Sequence, residues 1–201
     1  MAKEIIEGKT TIHCESVEKW REWLQNNHDL LNFVWLIIYR KRSEIPSVYY
    51  SEAVDQALCF GWIDSSARKR DTISYYLYMS RRNLSSNWSK INKEKVARLE
   101  KQGLIHESGY AMIQAAKENG NWDALDEIEE LKEPDDLRFL LKTNEQALKN
   151  WNAFSKSARR GILEWIYNAR KMETRKRRIS ETVSLAQQGI KANFPRKADS
   201  V

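Results

Sequence analysis

Phe33-Val34-Trp35-Leu36-Ile37-Ile38-Tyr39 is an unbroken apolar run made mostly of β-branched and aromatic residues. It is far shorter than the roughly 20 residues a membrane-spanning helix needs. Its composition fits a pleated surface, and the lack of alternation fits a strand covered on both faces. We read it as the central strand of a small sheet. Before it, Ser16 has the chemistry of a helix N-cap, and Val17, Trp20 and Leu24 follow at helical spacing until Asn26-Asn27. Further upstream, Glu4 to His13 reads as an edge strand or short hairpin with its turn at Gly8-Lys9. After the central strand Pro46 breaks the chain. Ser51 then caps a short helix carrying Val54, Ala57 and Leu58, and Gly61 stands just past its end. Trp62 to Arg68 and Ile73 to Ser80 suit a hairpin turned near Lys69-Arg70-Asp71.

Downstream the pattern is helical. Asn92 reads as an N-cap, with Ile91 packing on Val96 as a hydrophobic staple. Gly103 sits at a left-handed terminus and Leu104 reaches back towards Leu99. A helix over about 108–118 closes at Gly120. From Trp122 to Asp136 there are eight acidic residues and one lysine, then Pro134 at a helix start. Beyond it, Thr143-x-x-Gln146 reads as a capping box with Leu148 and Trp151 as core positions. Ile162, Trp165, Ile166 and Ala169 make one apolar stripe, and Ile179, Val183, Ala186 and Ile190 another. The fold class is therefore α+β: a small mixed sheet with packed helices in the N-terminal part and an all-helical C-terminal part. The divisions expected are an α+β domain over 1–122, an acidic linker or solvated helix over 123–136, a basic helical domain over 137–193 and a frayed tail over 194–201.

Composition bounds the rest. The chain has 201 residues, eight of them Trp and eight Tyr, enough apolar area for one sizeable core or two modest ones. Met1-Ala2-Lys3-Glu4 has no apolar run behind it, so no signal peptide is expected. Cys14 and Cys59 are too few for a disulfide framework, which suits a reducing, cytoplasmic setting. His13, His28 and His106 fall in no metal-ligand spacing, and no metal or cofactor is expected. Net charge is +6, and the segment 155–201 alone carries 12 Lys and Arg against 4 Asp and Glu. The basic character belongs to the C-terminal part.

Three stretches resemble one bacterial family. Tyr50-Ser51-Glu52-Ala53-Val54-Asp55-Gln56-Ala57-Leu58-Cys59-Phe60-Gly61-Trp62-Ile63-Asp64-Ser65 is similar to the signature of the YdeI/OmpD-associated proteins. Arg81-Arg82 followed by Ser86-Asn87-Trp88-Ser89-Lys90-Ile91-Asn92 resembles a second element of that family. Here Arg82 stands where the family usually has lysine, and Ser80 where it has proline. Trp165-Ile166-Tyr167-Asn168-Ala169-Arg170 with Thr174-Arg175-Lys176-Arg177-Arg178-Ile179 resembles its C-terminal helical motif. The resemblance covers about residues 15–190. It implies a bacteriocin-protection or stress-linked role and brings no reaction, cofactor or catalytic residue with it.

Two constellations could carry chemistry. In the first, hairpin alternation puts Trp62, Asp64 and Arg68 on one face. Arg81 and Arg82 leave the second strand, and Ser86, Ser89 and Asn92 approach a helix start whose N–H groups and partial positive charge favour an anion. Trp62 and Trp88 could stack a planar ligand. The plainer reading is that the serines and Asn92 cap, the tryptophans are core and Asp64 pairs with an arginine. Cys59 closes an apolar helical face, which suits an inert thiol better than a nucleophile. In the second, Lys171, Arg175 and Arg178 share one helical face, a positive ridge suited to phosphate backbones or acidic partners, or simply a solvated face. The preferred reading is a non-catalytic binding protein taking a small anionic or aromatic ligand, or a protein partner, at residues 62–92. The alternatives are weak, sequence-tolerant nucleic-acid binding by the C-terminal helices, or an enzyme of unknown reaction using the same pocket.

Overall fold

The run 33–39 is β3 (Phe33–Tyr39) in the computed structural model, which describes residues 5–6 and 9–194. Its interior residues from Val34 to Ile38 are all buried. Gly8 of the turn read near the N-terminus, and the tail beyond Phe194, lie outside the described residues. Among the described residues the sheet runs β1 (Ile5–Ile6), β2 (Lys9–His13), β3, β5 (Ser74–Arg81), β4 (Trp62–Lys69). β2 pairs with β3 in parallel and β5 pairs with β3 antiparallel, so the sheet is mixed and β3 is central.

Register explains why β3 shows no alternation. Val34 and Leu36 stand opposite Met79 and Leu77 on the face covered by helices. Trp35 and Ile37 stand opposite Tyr78 and Tyr76 on the other face, where Trp35, Ile37 and Tyr76 form a smaller cluster. Helices α1 (Val17–Asn27), α2 (Tyr50–Cys59), α3 (Lys90–Lys101) and α4 (Glu107–Glu118) complete this unit, with α2 packed against the other three and against β4. Trp20, Leu24, Leu58, Leu77 and Met79 are almost wholly excluded from solvent, each worth about 1.5–3 kcal/mol of burial.

Local chemistry sets the element ends, in several places other than the sequence suggests. Ser16 caps α1 as expected, accepting from Lys19 N. α2 begins two residues earlier than a Ser51 cap implies, at Tyr50, with Tyr49 as its N-cap and Tyr49 N donating to Glu52 Oε2 at 3.0 Å. The hairpin turn needs no glycine because Asp71 Oδ1 accepts from the N–H of Ile73 at 2.8 Å and of Ser74 at 2.7 Å. Ser89, not Asn92, caps α3; Asn92 is already in the first turn and donates its N–H to Ser89 Oγ at 3.3 Å. Ile91 therefore lies inside the helix and is 65% exposed, so it staples nothing. Gly103 takes the left-handed conformation at φ 67°, and Leu104 N donates to Leu99 O, the Schellman end read from sequence.

The chain divides into two compact units, 1–124 and 125–201. The second is built from α5 (Asp126–Glu129), α6 (Asp135–Lys142), α7 (Glu145–Ala153), α8 (Lys156–Tyr167) and α9 (Met172–Gln187). Its core gathers Leu137, Leu141, Trp151, Ile162, Ile166, Ile179 and Ala186. The acidic stretch contributes Leu125 and Ile128 to that core, and Glu133 accepts from Trp151 Nε1 at 2.7 Å. Asn144 caps α7 through its Oδ1 and the N–H of Ala147, while Thr143 closes α6, so the capping box read at Thr143 does not form. Ala169 and Ile190 fall beyond the ends of α8 and α9. Among the described residues no helix is long and apolar enough to cross a membrane.

Candidate functional site

The segment leaving β5 separates the arginines. Arg81 is exposed, and its Nε donates to His28 O at 2.8 Å and Leu31 O at 3.0 Å. Trp62 Nε1 donates to the same His28 carbonyl at 3.1 Å, and its ring is 1% exposed within the core. Both side chains fasten the loop between α1 and β3. Arg82 turns the other way. Its N–H donates to Gly61 O, its Nη2 donates to Asn87 O, and its Cζ lies 3.8 Å from the centre of the Trp88 ring.

Alternation also fails along β4. Asp64 stands opposite Met79, and three residues later Ala67 stands opposite Leu77, so β4 carries a bulge at Ser65-Ser66. The extra residue moves Arg68 to the opposite face, where its Cζ lies 5.2 Å from the Trp35 ring. Asp64 stays on the helix-covered side and accepts from Tyr50 Oη at 2.9 Å. Burial and that carboxylate push the Tyr50 phenol up to about 12. The grouping of Trp62, Asp64 and Arg68 on one face is thus corrected by a single inserted residue. Trp62 and Trp88 are both packed side chains of the main core.

What remains together is Arg82, Trp88 and the start of α3. Ser86 lies in the connecting turn, its N–H donating to Asn83 O at 2.9 Å. Asn119 and Asn121 each donate from Nδ2 to Leu84 O at 2.9 Å, holding that turn against the end of α4. Trp88 donates its N–H to Asn121 O and its ring lies against Trp122, centres 5.0 Å apart. Three cations address this tryptophan pair: Arg82 over Trp88, and Lys93 and Lys117 over Trp122 at 5.7 and 5.3 Å. Lys93 also pairs with Asp123 at 3.2 Å. Arg82 is only 7% exposed, and its Nε is buried with no hydrogen-bond partner. Among the described residues no carboxylate lies within ion-pair distance of it. Desolvation pulls its pKa down to about 10, still far enough above neutrality to keep the charge.

The C-terminal ridge is largely spent on structure. Arg175 makes a bidentate pair with Asp136, Nε to Oδ2 and Nη2 to Oδ1 at 2.9 Å each, and holds that carboxyl below its usual range. Arg178 stacks on Trp165 at 4.9 Å and donates to Trp165 O. Of the three, Lys171 alone is exposed, as the residue preceding α9. The charge count is right, but two of the ridge's three cations are held by Asp136 and Trp165.

The cysteines are apolar packing. Both are free and buried, with Cys14 pushed up to about 12 by burial and Cys59 also raised. Sequence reasoning missed a cavity of about 630 Å³ between α1 and β2, lined in part by Lys19, Trp23 and Asn26. Its signal was available: residues 19, 22, 23 and 26 share a helical face of mixed polarity beside the buried stripe of Trp20 and Leu24.

An α+β unit with a cationic tryptophan pair, followed by a helical bundle with its own core, defines the class. Residues 12–112, half of the chain, match the family model described as Domain of unknown function (DUF8412). Residues 130–189 match the model described as Bacteriocin-protection, YdeI or OmpD-Associated. The chain belongs to the first family, and its helical unit carries the YdeI/OmpD-associated domain of the second. The C-terminal motif thus falls within the YdeI/OmpD-associated match, while the motifs at 50–65 and 81–92 fall within the other model. No curated protein and no solved structure matches the chain.

Proposed function

We propose that this chain is a cytoplasmic binding protein whose N-terminal unit takes up a small phosphate-like anion at Arg82 and the first turn of α3. The observation that carries the reading is Arg82 itself: a buried guanidinium with an unpartnered Nε and no counter-charge among the described residues. An uncompensated buried charge costs several kcal/mol, and a bound anion would offset it. Asn87 O and the Trp88 ring hold the guanidinium one residue before the Ser89 cap of α3. The start of such a helix adds N–H donors and partial positive charge. Lys93 and Lys117, on the neighbouring Trp122, raise the local positive potential. The two free buried cysteines support a reducing compartment. The matched family's description, bacteriocin protection, supports a protective role for an anion-responsive chain of this kind.

The test is thermal unfolding with and without inorganic pyrophosphate. Ligand at a hundredfold its Kd should stabilise the native state by about 2.7 kcal/mol. The stabilisation should vanish in Arg82→Met and persist in Arg81→Gln, whose side chain fastens the α1–β3 loop instead. An equal response in Arg82→Met and in the unaltered chain would remove the reading.

A further inference from the structure

The cavity between α1 and β2 is separate from Arg82 and has a chemistry of its own. Its volume of about 630 Å³ lies within the range of roughly 300–1,000 Å³ usual for small-molecule sites. One wall is Trp23, half-buried and rigidly backed. Its ring stacks on Trp20 at 5.2 Å with 13° between planes, and Trp62 meets it edge-on at 5.9 Å. Trp20 in turn is pinned through Nε1 to Ala53 O at 3.0 Å. A backed aromatic plane presents its outer surface for stacking without the cost of ordering a loose side chain.

Beside that plane lie Asn26 and Asn27, both lining the cavity. Asn27 spends its Nδ2 on Trp23 O at 2.7 Å, which leaves its Oδ1 to accept. Asn26 is exposed, and its amide makes no hydrogen bond among the described residues, so it offers a donor and an acceptor together. Ile12, Ile37 and the neutral thiol of Cys14 add apolar surface, and Thr11, His13 and Tyr39 add polar atoms. The lining's cations are both paired, Lys19 with Glu22 at 2.9 Å and Arg70 with Asp71 at 3.0 Å, which leaves the Glu15 carboxylate. A cavity with no unpaired cation, a flat stacking wall and amides that both donate and accept suits an uncharged heteroaromatic ring with a hydrogen-bonding edge. The Glu15 carboxylate disfavours a phosphate on that ring.

We propose that the cavity between α1 and β2 is a binding site for an uncharged nucleobase or nucleoside, stacked on Trp23 and read at its edge by Asn26 and Asn27. The test is calorimetric titration of the full chain with adenosine, guanosine and uridine. Using Arg82→Met as the parent for the comparison with the matching monophosphates keeps the anion proposed at Arg82 out of the measurement. At least one nucleoside should bind saturably, its monophosphate more weakly, and Asn26→Ala should weaken binding about fivefold, as for one lost hydrogen bond. Trp23→Phe should weaken it further, and unfolding curves will show whether that variant keeps its fold. Asn26 is exposed, so its variant tests the site without touching the core. No saturable binding of any nucleoside overturns the proposal. So does binding unchanged in Asn26→Ala, or indole binding as tightly as the nucleosides. Failure here leaves the pyrophosphate result untouched, since the two sites share no residue.

Discussion

Arg82 carries its charge into the body of the N-terminal unit, and the consequence is measurable without any ligand. A lone buried cation destabilises the fold that holds it. Replacing it by methionine, which keeps much of the stem, should leave the anion-free unit at least as stable, read as an unchanged or higher midpoint in urea. A marked loss would mean that the stacking on Trp88 and the bond to Asn87 outweigh desolvation. Gly109 behaves differently. A Cβ there would sit 2.2 Å from Cys59 O, a backbone atom, so α4 rides directly against the end of α2. Gly109→Ala should cost about 3 kcal/mol, the upper range for overpacking, in denaturant unfolding. Neither residue was fully legible in the sequence. A glycine inside a helix reads as a small propensity penalty until the neighbouring backbone is in place. Arg82 was picked out, but only side-chain directions separate it from Arg81.

At the level of elements, the turn chemistry decides what the sequence could show. β3, the Asp71 turn and the Gly103 terminus were readable because each depends on local residue types. The start of α3 was not, because Ser89 and Asn92 are both good caps and stand three positions apart. Ser89 prevails, placing Val96 and Leu99 in the core and leaving Ile91 in solvent. Ser89→Ala should therefore cost about 1 kcal/mol, and Asn92→Ala much less, in paired unfolding measurements. Equal costs would put the cap elsewhere. The β4 bulge escaped sequence reading for a related reason. Nothing in Ser65-Ser66 marks an extra residue, yet it decides that Arg68 reaches Trp35 while Asp64 faces Tyr50.

Across the whole molecule, the separation into two cores rests on where Leu125 and Ile128 point. The acidic run reads as solvent-facing because its charges outnumber its apolar residues, but spacing puts those two aliphatic side chains inward. Its carboxylates also pair with two of the twelve C-terminal cations: Asp136 with Arg175, and Glu129 with Arg160. Because Arg175 lowers the pKa of Asp136, this pair stabilises the helical unit above the ordinary carboxylate range. That contribution fades as pH falls through the lowered value. The pair is partly exposed, so the effect is small and salt-sensitive. Signals reporting the helical unit should weaken more steeply in acid for the unaltered chain than for Asp136→Asn. Parallel acid profiles would show that the pair contributes nothing.

The most direct test of the anion reading is calorimetric titration of pyrophosphate into the full chain, beside the Arg82→Met variant. Saturable binding that weakens with salt and is absent from the variant is the expected result. Identical isotherms for the two proteins, or no heat from either, would contradict the account.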